Sequence, residues 1–345
     1  MKIAGKAIKK AAQTSLFRFF ASSFEKLPWP ESNVLRVLTY HRIATKNERL
    51  DLDPSLISAS PESFDRQMEW ISRDFNPVSL ANVIEAMKSG NGLSKRSVLV
   101  TFDDAYLDFM FHAWPSLVKY NIPVALFVPT DFCSAETSSF WWDQIHDAVN
   151  NQSNGGRLRV GQREFSLDNA KTRKRTTKAV KSYLKSLDHH QLQQEVGSIL
   201  EQVGYTKSKR SVLDWGQLKA LSDQGVDLVP HTQSHPLLTR VHASVAREEI
   251  INSRRCLNEK IGKVLPAFAY PSGYYNEEVV NILRDEGFKV GFTTVRGVND
   301  LEVTDNLKLR RINIGAETPD ALIRLQMCPA NLKTQSKIAS QFPSV

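Results

Sequence analysis

His231 and His235 stand four residues apart in GVDLVPHTQSHP, directly after a short apolar run. A second pair of ionisable residues, Asp103 and Asp104, ends the apolar run SVLVTFDD, and His41 follows RVLTY. Imidazole and carboxylate groups hold divalent cations and move protons near neutral pH. Two histidines do not by themselves fix a catalytic ion; a carboxylate supplies a third ligand and leaves positions open for water and substrate. Asp103–Asp104 offers one carboxylate for the ion and one as a base. Taken singly, the histidine pair also reads as surface or capping residues, and the Asp-Asp pair as a turn or helix cap. Their joint occurrence, each at the end of a buried-looking strand, favours a metal site.

The spacing of the histidines matches one helix face, but Pro230 precedes His231 and Pro236 follows His235. A residue before proline avoids the helical region. A tight loop or single turn that bends both imidazoles toward one point is therefore expected.

The elements that must position these groups alternate along the chain. Asn33–Ile43 is β-rich, and SPESFDRQMEWISRDF carries a helix signature that Ser60 or Ser63 can cap. Ser97–Asp104 and IPVALFVPT read as strands buried on both faces. LDWGQLKALSDQG is a helix that Asp214 can cap and Gly225 can end. VDLVP, PAFAYPSG, KVGFTTV and LKLRRINIG follow as strands, with helices between the first three. Alternation without a fixed-length repeat predicts a parallel α/β architecture, barrel or open sheet. Residues 31–130 and 211–325 make up this unit. Residues 131–210 change texture and read as a largely helical, basic insertion, poor in strands; 1–30 is a basic leader with a proline-rich linker, and 326–345 a loose polar tail.

A chain of 345 residues, 41% hydrophobic and 24% charged, sustains a large core. No run approaches the ~18 apolar residues of a membrane-spanning helix. The net charge of +8 is concentrated. Arg157–Lys185 carries ten Lys/Arg against Glu164 and Asp168, and Met1–Lys26 six against Glu25, so the remainder is slightly acidic. Such blocks are either solvated faces or surfaces for anionic lipid; the near absence of interleaved aromatics argues against nucleic acid. The leader has no convincing secretory core, since Arg18 interrupts LFRFFA. Three widely spaced cysteines form no disulfide pattern. A cytoplasmic protein, peripheral at the membrane surface, is the expectation.

TFDDAY (Thr101–Tyr106) and HTQSHP (His231–Pro236) resemble the first two motifs of the polysaccharide deacetylases, the NodB-homology group of carbohydrate esterases. FAYPSGYYN (Phe268–Asn276) resembles a variant of the third. The resemblance covers roughly Val34–Thr130 and Ser211–Asn313. It implies a distorted (β/α) barrel with a metal-dependent N-deacetylase site and an acetylated glycan as substrate. Asp104, His231 and His235 would hold one divalent ion, commonly zinc, and Asp103 would be the general base. A main-chain N–H in the Pro271–Ser272–Gly273 turn would face the oxyanion, with Tyr274 beside the sugar groove.

Two departures stand out. The arginine that the family carries three residues before Ser272 is Ala269 here, and Ser272 replaces an aromatic. Arg310 or Arg311, on the last strand, is a substitute for orienting the base. The late histidine motif is also missing, but LTYHRI (Leu38–Ile43) resembles the opening strand of exopolysaccharide deacetylases with permuted motif order, which makes His41 the candidate general acid. Trp141, Trp142, Tyr274 and Tyr275 can stack on sugar rings or pack in the core. The motifs do not separate N-deacetylation from O-deacetylation or from hydrolysis of another non-peptide amide, and a decayed glycan-binding protein would carry the same altered third motif.

Overall fold

The computed structural model describes residues 32–134, 139–152, 155–206, 209–262 and 264–329, with Leu332 and seven separate positions between 12 and 23. Most of the leader, its linker and the tail therefore lie outside the described residues.

The main sheet contains β1 (Val34–Tyr40), β4 (Asn76–Pro77), β5 (Ser97–Phe102), β6 (Val124–Val128), β9 (Asp227–Pro230), β10 (Ala267–Ala269), β11 (Val290–Arg296), β12 (Asn299–Asp300) and β13 (Leu309–Asn313). Their order is β10-β11-β13-β1-β5-β6-β9, with β4 added to β5 and β12 to β1. All pairings except β1 with β12 are parallel. The two end strands come together where His231 Nδ1, just past β9, lies 2.7 Å from the carbonyl of Ala269 on β10. The sheet is thus nearly closed into a distorted (β/α) barrel. Two short strands, β2 (Arg42–Ile43) and β3 (Ile57–Ala59), pair separately.

Helices α1 (Pro61–Asp74), α2 (Leu80–Ser89), α3 (Trp114–Lys119), α7 (Trp215–Asp223), α8 (Ala243–Ile261), α9 (Glu277–Asp285) and α10 (Asp320–Gln326) accompany the barrel. Their ends follow local chemistry. The Ser60 hydroxyl accepts from the Ser63 N–H, and Asp214 makes a reciprocal capping box with Gln217.

Side-chain alternation divides the strands into two faces. Val98, Val100, Phe102, Val124, Leu126 and Val128 belong to the larger cluster, with Phe64, Met68 and Ile71 of α1. Leu35, Val37, Leu99, Ala125, Phe127, Val229, Ala269, Phe292 and Leu309 form a second cluster in the barrel interior. Continuing the interior series in steps of two reaches His41 and Asp103, by way of Thr39 and Thr101, and His231 and Arg311 directly.

The segment 141–202 is not purely helical. Between α4 (Trp141–Asn150) and the pair α5 (Ala170–Leu184) and α6 (His189–Gln202) lies an antiparallel hairpin, β7 (Arg157–Val160) and β8 (Arg163–Ser166). Alternation in RLRV, with Leu158 and Val160 buried and Arg157 and Arg159 exposed, is the strand signal beneath the dominant basic composition. Ile145, Val149, Leu158, Val160, Val180, Leu184, Val196 and Ile199 give this segment its own apolar cluster.

Candidate active site

Asp103 and Asp104 leave β5 at its carboxyl end, the end at which β/α barrels gather functional groups. The Asp103 N–H donates to the Tyr40 carbonyl, which extends β5 by one residue and aims Asp103 inward. The chain then turns sharply: Asp104 has φ 71° and Ala105 φ 49°. Left-handed backbone at two successive non-glycine residues is costly, of order 1–3 kcal/mol each, and such conformations cluster at functional sites. The turn is held from outside by Leu107 N–H to the Ser211 carbonyl and Leu213 N–H to the Ala105 carbonyl.

The histidine loop is non-helical, as the flanking prolines imply. Thr232 and His235 both have left-handed φ, 66° and 58°. His235 N–H donates to the Thr232 hydroxyl oxygen. Glu249 on α8 fastens the loop, accepting from the Gln233 and Ser234 N–H groups at 2.8 and 2.9 Å and from the Ser234 hydroxyl at 2.6 Å. Nothing in the sequence near the loop points to Glu249; it arrives through the packing of α8.

These two turns bring three ligand types together. His235 Nε2 lies 3.3 Å and His231 Nε2 3.6 Å from Asp104 Oδ1. The candidate ligand atoms all fall within 4.8 Å of one another, and all three residues are buried. His231 donates its Nδ1–H to Ala269, which leaves the Nε2 lone pair facing Asp104. Burial, reinforced by the neighbouring His235, pushes His231 down to about 4, so its imidazole is neutral at pH 7. Asp104 Oδ1 is buried without a hydrogen-bond partner among the described residues. An orphaned carboxylate oxygen facing two imidazoles is the environment that a divalent cation satisfies, and the donor set suits one.

Asp103 is not part of that cluster. Its Oδ1 and Oδ2 accept from Arg311 Nη1 and Nη2 at 2.7 and 2.9 Å. Arg311 is fully buried, donates its Nε–H to the Thr293 carbonyl, and sits with its guanidinium 5.7 Å from the Phe127 ring centre. Burial alone would raise the Asp103 carboxyl, but Arg311, His231 and His41 outweigh it and hold it below its ordinary value. Burial would likewise raise Asp104, and the surrounding His235, His41 and His231 overcome it. His41 Nε2 lies 4.0 Å from Asp103 Oδ2. Of the two arginines weighed from sequence, Arg311 makes the fork to Asp103. Strand parity distinguishes it, since Arg311 shares the interior face with Leu309 whereas its neighbour Ile312 joins the outer cluster.

His41, Asp103, Asp104, His231, His235 and Ser272 line one cavity of about 230 Å³. The turn Pro271–Gly273 contributes only Ser272 to that lining, held at φ 54°. The N–H groups of Gly273 and Tyr274 donate within the turn, to Tyr270 and Pro271, and proline has none. The Ser272 N–H is the remaining donor of this turn. Gly273 is required here: at φ 76°, a Cβ would fall 2.0 Å from Thr294 Oγ1. Tyr274 is exposed and outside the cavity lining, and Tyr275 packs against Tyr270 at 5.3 Å. Trp141 packs into the core; Trp142 both stacks on Phe140 at 4.4 Å and lines the cavity, its ring centre 5.0 Å from that of His235.

Several lining groups come from outside the recognised motifs. Asp53, Ser55 and Leu56 enter from the loop after β2; Lys181, Ser182 and Lys185 enter from α5 and its C-cap. Lys181 is ion-paired with Asp53. Asp143 of α4 accepts from the Asp53 N–H and the Tyr106 hydroxyl, both at 2.7 Å, and Tyr106 in turn accepts from Trp142 Nε1 at 2.9 Å. Burial raises Asp143 to about 7 despite these donors. The inserted segment is thereby docked over one side of the cavity.

Comparison with known proteins agrees with this geometry. The family model for polysaccharide deacetylase matches residues 90–291. A poly-β-1,6-N-acetyl-D-glucosamine N-deacetylase of Staphylococcus epidermidis is 24% identical over 307 residues, covering 85% of this chain and 83% of its own. Two solved structures share the fold. They are the Streptococcus pyogenes deacetylase PplD in complex with acetate (TM-score 0.57, 22% identity, 85% of this chain and 98% of that one) and IcaB from Ammonifex degensii (TM-score 0.53, 19% identity, 86% and 98%). With the family model spanning more than half of its length and both strand-end motifs, the chain belongs to the polysaccharide deacetylase family.

Proposed function

We propose that this chain is a metal-dependent hydrolase that removes N-acetyl groups from amino sugars of a polysaccharide or lipid-linked oligosaccharide. The carrying observation is the convergence of Asp104, His231 and His235 beside an Asp103 that stays outside their cluster and is gripped by Arg311. The named substrate of the staphylococcal relative, an N-acetylated glucosamine polymer, supports that substrate class.

Asp104, His231 and His235 would hold the ion, for which the nitrogen-rich donor set favours zinc. Bound there, such a cation acidifies water and polarises the acetamide carbonyl. Asp103 takes the proton of the attacking water; Arg311 fixes both carboxylate oxygens and keeps the group ionised. The Ser272 N–H would donate to the oxyanion, a role its place in the cavity lining supports. His41 protonates the departing amine as the carbon–nitrogen bond breaks. Acetate leaves carrying one oxygen from water, and the sugar keeps a free amine. O-Deacetylation would use the same groups, and a substrate panel separates the two.

Acetate release from N-acetylglucosamine oligomers, before chelation, after it and after zinc is restored, tests the reading; metal-independent release, or none in any state, defeats it. Cys133, Cys256 and Cys328 form no disulfide, which supports a reducing, cytoplasmic setting. No helix among the described residues is long and apolar enough to cross a membrane. Contact of the basic leader with anionic lipid fits this placement, and vesicle sedimentation at rising salt checks it.

A further inference from the structure

Lys171, Lys174, Lys178, Lys181 and Lys185 follow one another at spacings of three and four residues. On an α-helix this spacing puts all five on one side. The opposite, buried side of α5 is set by Thr176, Thr177, Val180 and Leu184. Lys171, Lys174, Lys178 and Lys185 are exposed and Lys181 is half-buried against Asp53. No Asp or Glu occurs between Asp168 and Asp188, so the helix supplies no acidic neutralisation of its own. The row spans about 21 Å at 1.5 Å per residue. Its last two members, Lys181 and Lys185, line the same cavity as Asp103, Asp104, His231 and His235.

We infer that this lysine row is a binding rail for an acidic glycan, so that the acetylated polymer carries carboxylate or phosphate groups on sugars adjoining the one that is deacetylated. The inference rests on the deacetylase reading for the identity of the polymer. A polymer with one sugar in the cavity must continue out across an edge. The α5 edge presents a line of cations that starts at Lys185 in the cavity lining and runs out through Lys178, Lys174 and Lys171, with Lys181 between them held by Asp53. A neutral chain gains nothing from ammonium groups at that spacing, whereas an acidic one is attracted along its length and held in register. A flat membrane surface cannot reach Lys181 and Lys185 at the cavity wall, which favours a linear polymer over lipid.

The test compares fragments of hyaluronan, in which N-acetylglucosamine alternates with glucuronate, with neutral chitin fragments of matched length. Binding to the zinc-loaded full chain is measured for wild type, for K171Q/K174Q/K178Q, which leaves the cavity wall intact, and for K185Q. The rail requires the wild type to prefer the acidic fragment by roughly ten-fold or more at low salt, the preference shrinking as salt rises. In both variants the preference should collapse toward unity. Equal binding of the two fragments, or a preference that survives in the triple variant, overturns the rail. So does loss of phosphatidylglycerol-vesicle binding in the triple variant without any acidic-glycan preference, which would assign the row to a membrane. Acetate release is followed in parallel. Binding preference without release from any fragment counts against the deacetylase reading and leaves the rail standing; release without preference does the reverse.

Discussion

Arg311 and Asp103 are 208 residues apart in the chain, yet the guanidinium of one grips both carboxylate oxygens of the other at 2.7 and 2.9 Å. Both are buried in the barrel interior, Arg311 completely. The family's motif arginine is absent, Ala269 standing in its place, and the same type of group reaches Asp103, the proposed base, from β13 instead. A planar two-pronged donor fixes orientation as well as charge, which a lysine does not. Arg311→Lys should therefore lower kcat by roughly 10–100-fold with metal content retained. Arg311→Ala should also lower stability by about 3–5 kcal/mol, because it strands a buried carboxylate. Steady-state kinetics and urea unfolding of the two variants check this; an Arg311→Lys variant with wild-type kcat would remove the orienting role.

Asp103 and Asp104 are neighbours in sequence to which the proposed mechanism assigns different tasks. Asp103→Asn should cost roughly 10²–10⁴-fold in turnover and keep near one bound ion per chain. Asp104→Ala, His231→Ala and His235→Ala should lose ion and activity together. Metal analysis beside acetate release separates the two patterns. Chelation of the wild type should also lower Tm, since an ion that binds only the folded chain stabilises it by about 4 kcal/mol at a thousand-fold excess over its Kd.

His41 stands 4.0 Å from Asp103 Oδ2 on the cavity wall, and the other imidazoles of the described lining are those of the candidate ligands His231 and His235. An amine leaving group needs a proton, and a nitrophenolate does not. His41→Gln should reduce acetamide hydrolysis by roughly 10²-fold while affecting hydrolysis of nitrophenyl acetate far less. Equal losses on both substrates would make His41 a structural residue.

Asp143 couples stability to pH through the docking of the inserted segment. Its carboxyl stands near 4 when unfolded and at about 7 when buried. The folded chain therefore binds the extra proton, and this contribution is present below pH 4 and lost as pH rises through 7. The displacement sets an upper bound of about 4 kcal/mol. Asp143→Asn should flatten the decline in Tm between pH 5 and 8 relative to wild type. Parallel Tm profiles for the two proteins would show that Asp143 does not titrate in this range.

The sequence by itself determined the strand–helix alternation, a parallel α/β architecture and the ionisable residues at strand ends, because these are written in local pattern; the distorted barrel and the candidate ligands Asp104, His231 and His235 came from the resemblance of its motifs to the deacetylases. Buried strands are continuous apolar runs, and functional groups stand at their ends. Pro230 and Pro236 likewise exclude a helix at the histidines from dihedral restrictions alone. Only the tertiary structure decided which arginine grips Asp103, that Glu249 fastens the histidine loop, that Ser272 is the residue of its turn that lines the cavity, and that Lys181 and Lys185 reach the cavity. Each of those depends on strand parity or on packing between segments far apart in the chain. The hairpin Arg157–Ser166 was obscured for a related reason: each strand is four residues long, only RLRV alternates, and charge dominates the local composition. Contacts made across a barrel leave no trace in the order of residues along it.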